Sequence, residues 1–119
     1  MRRPALLALV VLPALAADAW QPVPEAGLQV EMLNQRGERV RLLDAAGPVA
    51  VVNFLFTTCR QACPMLAAQF KALQNELGRR HRGDVKLVSV SVDPAHDTPA
   101  ALREFGARFQ AGANWTFLT

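Results

Sequence analysis

Cys59 and Cys63 are the only cysteines of the chain, and they stand in the stretch Phe56-Thr57-Thr58-Cys59-Arg60-Gln61-Ala62-Cys63-Pro64 with three residues between them. Two thiols so close in sequence can form a redox-active disulfide, clamp a soft metal ion, or staple the backbone. The spacing separates these options only in part. On a helix, positions i and i+4 hold their Cβ atoms about 5–6 Å apart, whereas a relaxed disulfide asks for about 3.5–4.5 Å. A disulfide here therefore needs some backbone adjustment. Two sulfurs each about 2.3 Å from a shared ion, taking zinc–thiolate lengths as a stand-in, reach about 4.6 Å apart, which leans towards a metal. Two thiolates select a soft ion; copper(I) accepts few ligands, while structural zinc asks for four donors. The thioredoxin-type redox motif has two intervening residues rather than three.

The other donors within reach are few, since the chain has two histidines, His81 and His96. His81 follows Cys63 along a helical pattern that places it roughly 27 Å away at 1.5 Å per residue, and it reads as a solvated helix-end residue. His96 lies in the loop Asp93-Pro94-Ala95-His96-Asp97, which follows a strand and emerges at the same edge as Cys59. Its ordinary role is that of a solvated loop histidine. Asp93 and Asp97 share that edge and could orient a ligand or tune the thiols from behind; turn and cap chemistry is their ordinary alternative.

These residues need elements to position them. Leu28, Val30 and Met32 alternate with polar residues, Asn34-Gln35-Arg36-Gly37 supplies a turn, and Val40 and Leu42 alternate again, which predicts a β-hairpin. After Gly47-Pro48, the run Val49–Phe56 is β-branched and aromatic without alternation, the pattern of a strand covered on both faces. From Pro64 the period becomes helical, with Leu66, Phe70, Leu73 and Leu77 on one face and Gly83 as a stop. Val85–Val92 predicts a second strand, and Thr98 caps a second helix with Pro99 in its first turn and Leu102, Phe105 and Phe109 inward. Gly106 weakens that helix, Gly112 lies beyond it, and Trp115–Thr119 begins a further strand. Strand, helix, strand, helix implies a right-handed crossover and a parallel pair. In such a unit functional groups gather beyond the carboxyl ends of the strands, where Cys59 and Cys63 fall. A helix N-terminus there favours the thiolate.

Composition bounds the rest. The 119 residues suffice for one domain. Met1-Arg2-Arg3 followed by an apolar run from Ala5 to Ala16 and small residues up to Ala19 predicts a secretory signal peptide over residues 1–19. An uncleaved anchor is the alternative, although about twelve apolar residues fall short of the ~20 that span a bilayer. Residues 20–27, with two prolines and a glycine, predict a linker, and residues 28–119 the domain. The formal charge of +3 falls to +2 without Arg2, Arg3 and Asp18, which argues against a nucleic-acid partner. Export matters to the thiols, because outside the cytosol a close pair oxidises unless a reductant or metal holds it.

The stretches "VVNFLFTTCRQACPM", "VKLVSVSVDPAHDTPAALREFGARF" and "WTFLT" together resemble the SCO/SenC family of thioredoxin-fold copper chaperones of cytochrome c oxidase assembly. The resemblance covers roughly Leu28 to Thr119. It implies an α/β thioredoxin-like fold with an N-terminal β-hairpin. It also implies that Cys59 and Cys63 bind copper together with a histidine from a segment downstream of that equivalent to "WTFLT". Neither His81 nor His96 occupies that position, and the family's closing strands and last helix are expected to be missing from this chain. The implied partner is the copper-bearing subunit of the oxidase or another copper chaperone. Membrane association is expected only if the N-terminal segment stays uncleaved. Two further readings stand beside the chaperone: an extracytoplasmic thiol-disulfide oxidoreductase in which Cys59 attacks and Cys63 resolves, and a fragment whose cysteines are a staple.

Overall fold

The structure, a computed structural model, describes residues 21–119. The expected signal peptide and Trp20 lie outside the described residues. Gln21–Pro24 is exposed and without regular structure, and the segment expected to be a linker then closes one helical turn, α1 (Glu25–Leu28). A hairpin follows, formed by β1 (Glu31–Leu33) and β2 (Arg39–Arg41), with Met32 opposite Val40. Its turn is built as the composition predicts. The Asn34 side-chain oxygen accepts from the backbone N–H groups of Arg36 and Glu38, and Gly37 takes a φ of +81°, which glycine adopts without strain.

The hairpin strands are shorter than the alternation suggested. Leu28 ends α1, and Leu42 opens a second short helix, α2 (Leu42–Ala46), instead of extending β2. The Arg41 guanidinium pairs with Asp44 at 2.8 and 3.0 Å across that turn, and the chain folds back over the sheet rather than running on.

The main sheet has three parallel strands in the order β3 (Val49–Leu55), β4 (Val85–Ser91), β5 (Trp115–Leu118). Helix α3 (Ala62–Arg79) joins the first pair and α4 (Pro99–Arg108) the second. The hairpin hydrogen-bonds this sheet along β5: Leu33 and Thr119 exchange backbone hydrogen bonds of 2.8 and 2.9 Å, and the Gln35 amide bonds the β5 backbone at Trp115 and Phe117.

Each face of the sheet carries its own apolar cluster. Leu55, Leu87, Trp115 and Phe117 pack with Cys63, Ala67 and Phe70 of α3 and Leu102 and Phe105 of α4. On the other face Val88, Val90 and Leu118 pack against Met32 and Val40 of the hairpin and Leu42 and Ala45 of α2. Strand β4 lies between the two, and it is the strand covered on both faces. The expectation that β3 is so covered is corrected: β3 is an edge strand among the described residues, with Val52 and Phe54 exposed at 41% and 64%. The hairpin lies over β4 and β5, and α2 covers β4 and reaches β3 only near Ala50, so an unbroken apolar run does not by itself say which strand becomes central.

The helix stop is also corrected. α3 ends at Arg79, before Gly83, because His81 enters the left-handed region at φ +53° and lets Arg82 N–H donate to the Leu77 carbonyl at 2.9 Å. None of the described helices is long and apolar enough to cross a membrane.

Candidate functional site

The carboxyl ends of β3 and β4 stand side by side, tied by Val92 N–H to the Leu55 carbonyl at 2.9 Å. From β3 the chain makes a turn at Thr57-Thr58, closed by Cys59 N–H to the Phe56 carbonyl at 3.2 Å, and then enters α3. This places Cys59 just before the helix and Cys63 in its first turn. Both cysteines are free thiols; Cys63 is buried in the cluster beneath α3, and Cys59 is half-buried at its rim.

The first turn of any helix leaves backbone N–H groups without partners. Gln61, the residue at the cap position of α3, makes no side-chain cap. Instead the Cys59 sulfur accepts the Cys63 N–H at 3.3 Å. A sulfur thus occupies the place that a serine or aspartate oxygen commonly takes. The consequence is electrostatic: donation from the Cys63 thiol, and then from backbone N–H groups of the helix start, pulls the Cys59 thiol below its ordinary pKa. Cys63 goes the other way, because burial disfavours its thiolate and the negative charges of Cys59 and Asp97 add to that. The two thiols are thus shifted in opposite directions, Cys59 by the helix start and Cys63 by burial.

The structure sorts the remaining expected site residues. Asp97 is fully buried and bonds Thr57 and Ser91 beside the cysteine loop. Asp93 and His96 pair with each other, the imidazole Nδ1 lying 2.9 and 3.0 Å from the carboxylate oxygens. That hydrogen bond, and then the carboxylate's charge, raises the His96 pKa above its ordinary value. The pair faces solvent, and among the described residues no group of three or more histidine, cysteine or acidic side chains stands close enough together to hold an ion. His81 sits at the far end of α3. Thr57 and Ser91 escaped the sequence reading, although a hydroxyl residue at the end of each of two parallel strands was a usable signal.

Three comparisons agree on where this arrangement belongs. The fold is thioredoxin-like, and the SCO1/SenC family model matches residues 21–115. The chain belongs to the SCO1/SenC family. It is 39% identical over 87 residues to the SCO1 protein homolog of Bacillus subtilis (strain 168), covering 72% of this chain and 45% of that one. Among solved structures, it is similar to BsSco, described as a member of the Sco family of cytochrome c oxidase assembly proteins with a disulfide switch. The TM-score is 0.66 and the identity 37%, over 76% of this chain and 52% of that one. It is also similar to Arabidopsis thaliana ScoI with copper bound, at a TM-score of 0.65 and 27% identity, over 75% of this chain and 54% of that one. The chain spans about half the length of the relatives it matches.

Proposed function

We propose that this chain carries the thiolate half of a copper(I) site and serves as a metallochaperone in assembly of the copper centre of cytochrome c oxidase. The observation that carries the reading is the placement of two thiols at the mouth of one strand–helix turn, one half-buried and one buried. Copper here is cargo. Cys59 is reachable by an incoming ion or by a partner's ligand, and Cys63 holds from within. Soft thiolates match copper(I), and a low coordination number leaves the ion open to transfer through shared ligands. The copper-bound ScoI relative and the family of BsSco support this reading. Cys59 and Cys63 are the ligands, with the oxidase copper-bearing subunit or another copper chaperone as partner. Export by residues 1–19 places the domain, residues 28–119, outside the cytoplasm.

The test is titration of the reduced chain with copper(I) against a chromophoric competitor. The expected result is one copper(I) per chain, lost in both Cys59→Ser and Cys63→Ser and unaltered in His96→Ala, whose imidazole is engaged by Asp93. Absence of stoichiometric binding by the reduced protein would sink the proposal.

The opposed thiol pKa directions favour a second reading, a thiol-disulfide oxidoreductase. The Cys59 thiolate attacks one sulfur of a partner disulfide, and the partner's other sulfur leaves as a thiolate. Cys63, once deprotonated, attacks the Cys59 sulfur, releasing the second partner sulfur and leaving a Cys59–Cys63 disulfide. The partner gains two electrons and this chain loses two. Turnover of a disulfide substrate without copper binding would select this reading.

A further inference from the structure

We propose that Asp97 is a positioning residue for the cysteine pair: its buried side chain holds the loop that carries Cys59 against the end of β4 and so sets how the two sulfurs meet. The proposal rests on the reading that Cys59 and Cys63 act as a pair, which the copper and redox functions share.

Asp97 is 0% exposed, and both its oxygens are engaged. Oδ1 accepts the Thr57 backbone N–H at 3.1 Å and the Thr57 hydroxyl at 2.5 Å, while Oδ2 accepts the Ser91 hydroxyl at 2.6 Å and stands 3.2 Å from the same Thr57 nitrogen. Ser91 Oγ in turn accepts the Asp93 N–H at 3.0 Å, which fixes the hydroxyl's direction. Thr57 lies two residues before Cys59 and 40 residues from Asp97 along the chain. The side chain thus reaches across the fold to the cysteine loop.

A local role for Asp97 does not explain this geometry. The neighbouring helix α4 is capped by Thr98, whose hydroxyl accepts the Ala101 N–H at 3.2 Å. The Asp97 carboxylate is not used there and points to Thr57 instead. A buried carboxylate is costly unless donors surround it, and here the donors come from the ends of two different strands. Beyond this clamp, the loop is held by the Cys59 N–H bond to Phe56 and by the sulfur cap on α3. Releasing Asp97 frees Cys59 to move relative to Cys63, which is fixed in the core.

The readout is the equilibrium between reduced and oxidised glutathione and the Cys59–Cys63 pair, in copper-free protein: two thiols become one disulfide as one glutathione disulfide becomes two thiols. Thr57→Val removes one donor and leaves Asp97 intact; Asp97→Asn removes the anion and keeps the shape. Both are expected to shift the constant in the same direction by about tenfold, or about 30 mV. The double variant should shift it no further than the larger single change, and Thr57→Ser, which keeps the hydroxyl, should leave it within twofold. Constants within twofold of the parent in both Thr57→Val and Asp97→Asn, with only the melting temperature lowered, would overturn the proposal in favour of a purely structural Asp97. Should Asp97→Asn fail to fold, the contrast between Thr57→Val and Thr57→Ser decides. No copper enters the measurement, so failure of the parent protein to bind copper(I), alongside a shifted constant in the variants, would count against the metallochaperone only.

Discussion

Cys59 stands at two boundaries at once, between strand and helix and between core and solvent. Its sulfur caps α3, so its ionisation is coupled to the fold. A thiol whose folded pKa lies below its unfolded one adds stability above the unfolded value, and loses that contribution as pH falls through the folded value. The Cys59 contribution should therefore grow as pH rises through that window, while Cys63, shifted upward, takes stability away once pH passes its unfolded value. Alkylation by iodoacetamide gives the direct measurement. Cys59 should react ahead of buried Cys63, with an inflection below the ordinary thiol value of about 8.5. Cys63→Ala, which deletes the thiol donor, should move that inflection upward. An inflection at or above the ordinary value in the parent protein would show that the helix start does not stabilise the thiolate.

At the scale of elements, the crossing of α4 over β5 depends on Gly106. A Cβ at that position would lie 2.8 Å from Phe117 Cε2, so the ring would have to shift. It stacks on Trp115 at 5.0 Å and meets Phe105 edge-on at 6.2 Å. Gly106→Ala sets two effects against each other. Alanine favours the helix by about 1 kcal/mol, whereas forcing the packed Phe117 ring aside costs about 1–3 kcal/mol. The core wins, and the variant should unfold at lower denaturant than the parent. A midpoint that rises instead would mean that Phe117 can yield. The sequence marked Gly106 as a weak point of the helix; the packing shows what the glycine is for.

For the whole molecule, β4 is the member that two cores share. Leu87 faces the helices and Val88 faces the hairpin, and both are fully buried. Leu87→Ala should cost about 2–5 kcal/mol, and the loss should reach the hairpin side as well, because the same strand supports it. Urea unfolding followed by far-ultraviolet circular dichroism and by hairpin amide resonances should give one shared transition. Hairpin resonances that outlast the helical signal would separate the two clusters.

Much of this was legible before any coordinates. Helical period and capping signals located α3 and α4, the β-branched runs located β3 and β4, and the spacing of Cys59 and Cys63 placed both thiols at one strand–helix turn. Such features depend on neighbours a few residues apart, which is the range over which side-chain period and backbone propensity act. The tertiary structure decided the rest. It made β4 central and left β3 at an edge, because layer order follows from which elements cover a strand rather than from the strand's own composition. It let His81 end a helix where a glycine was expected. It also joined Thr57 to Asp97 across 40 residues: a hydrogen bond between side chains so far apart in the chain has no periodic signature, and exists only once the two strand ends lie together.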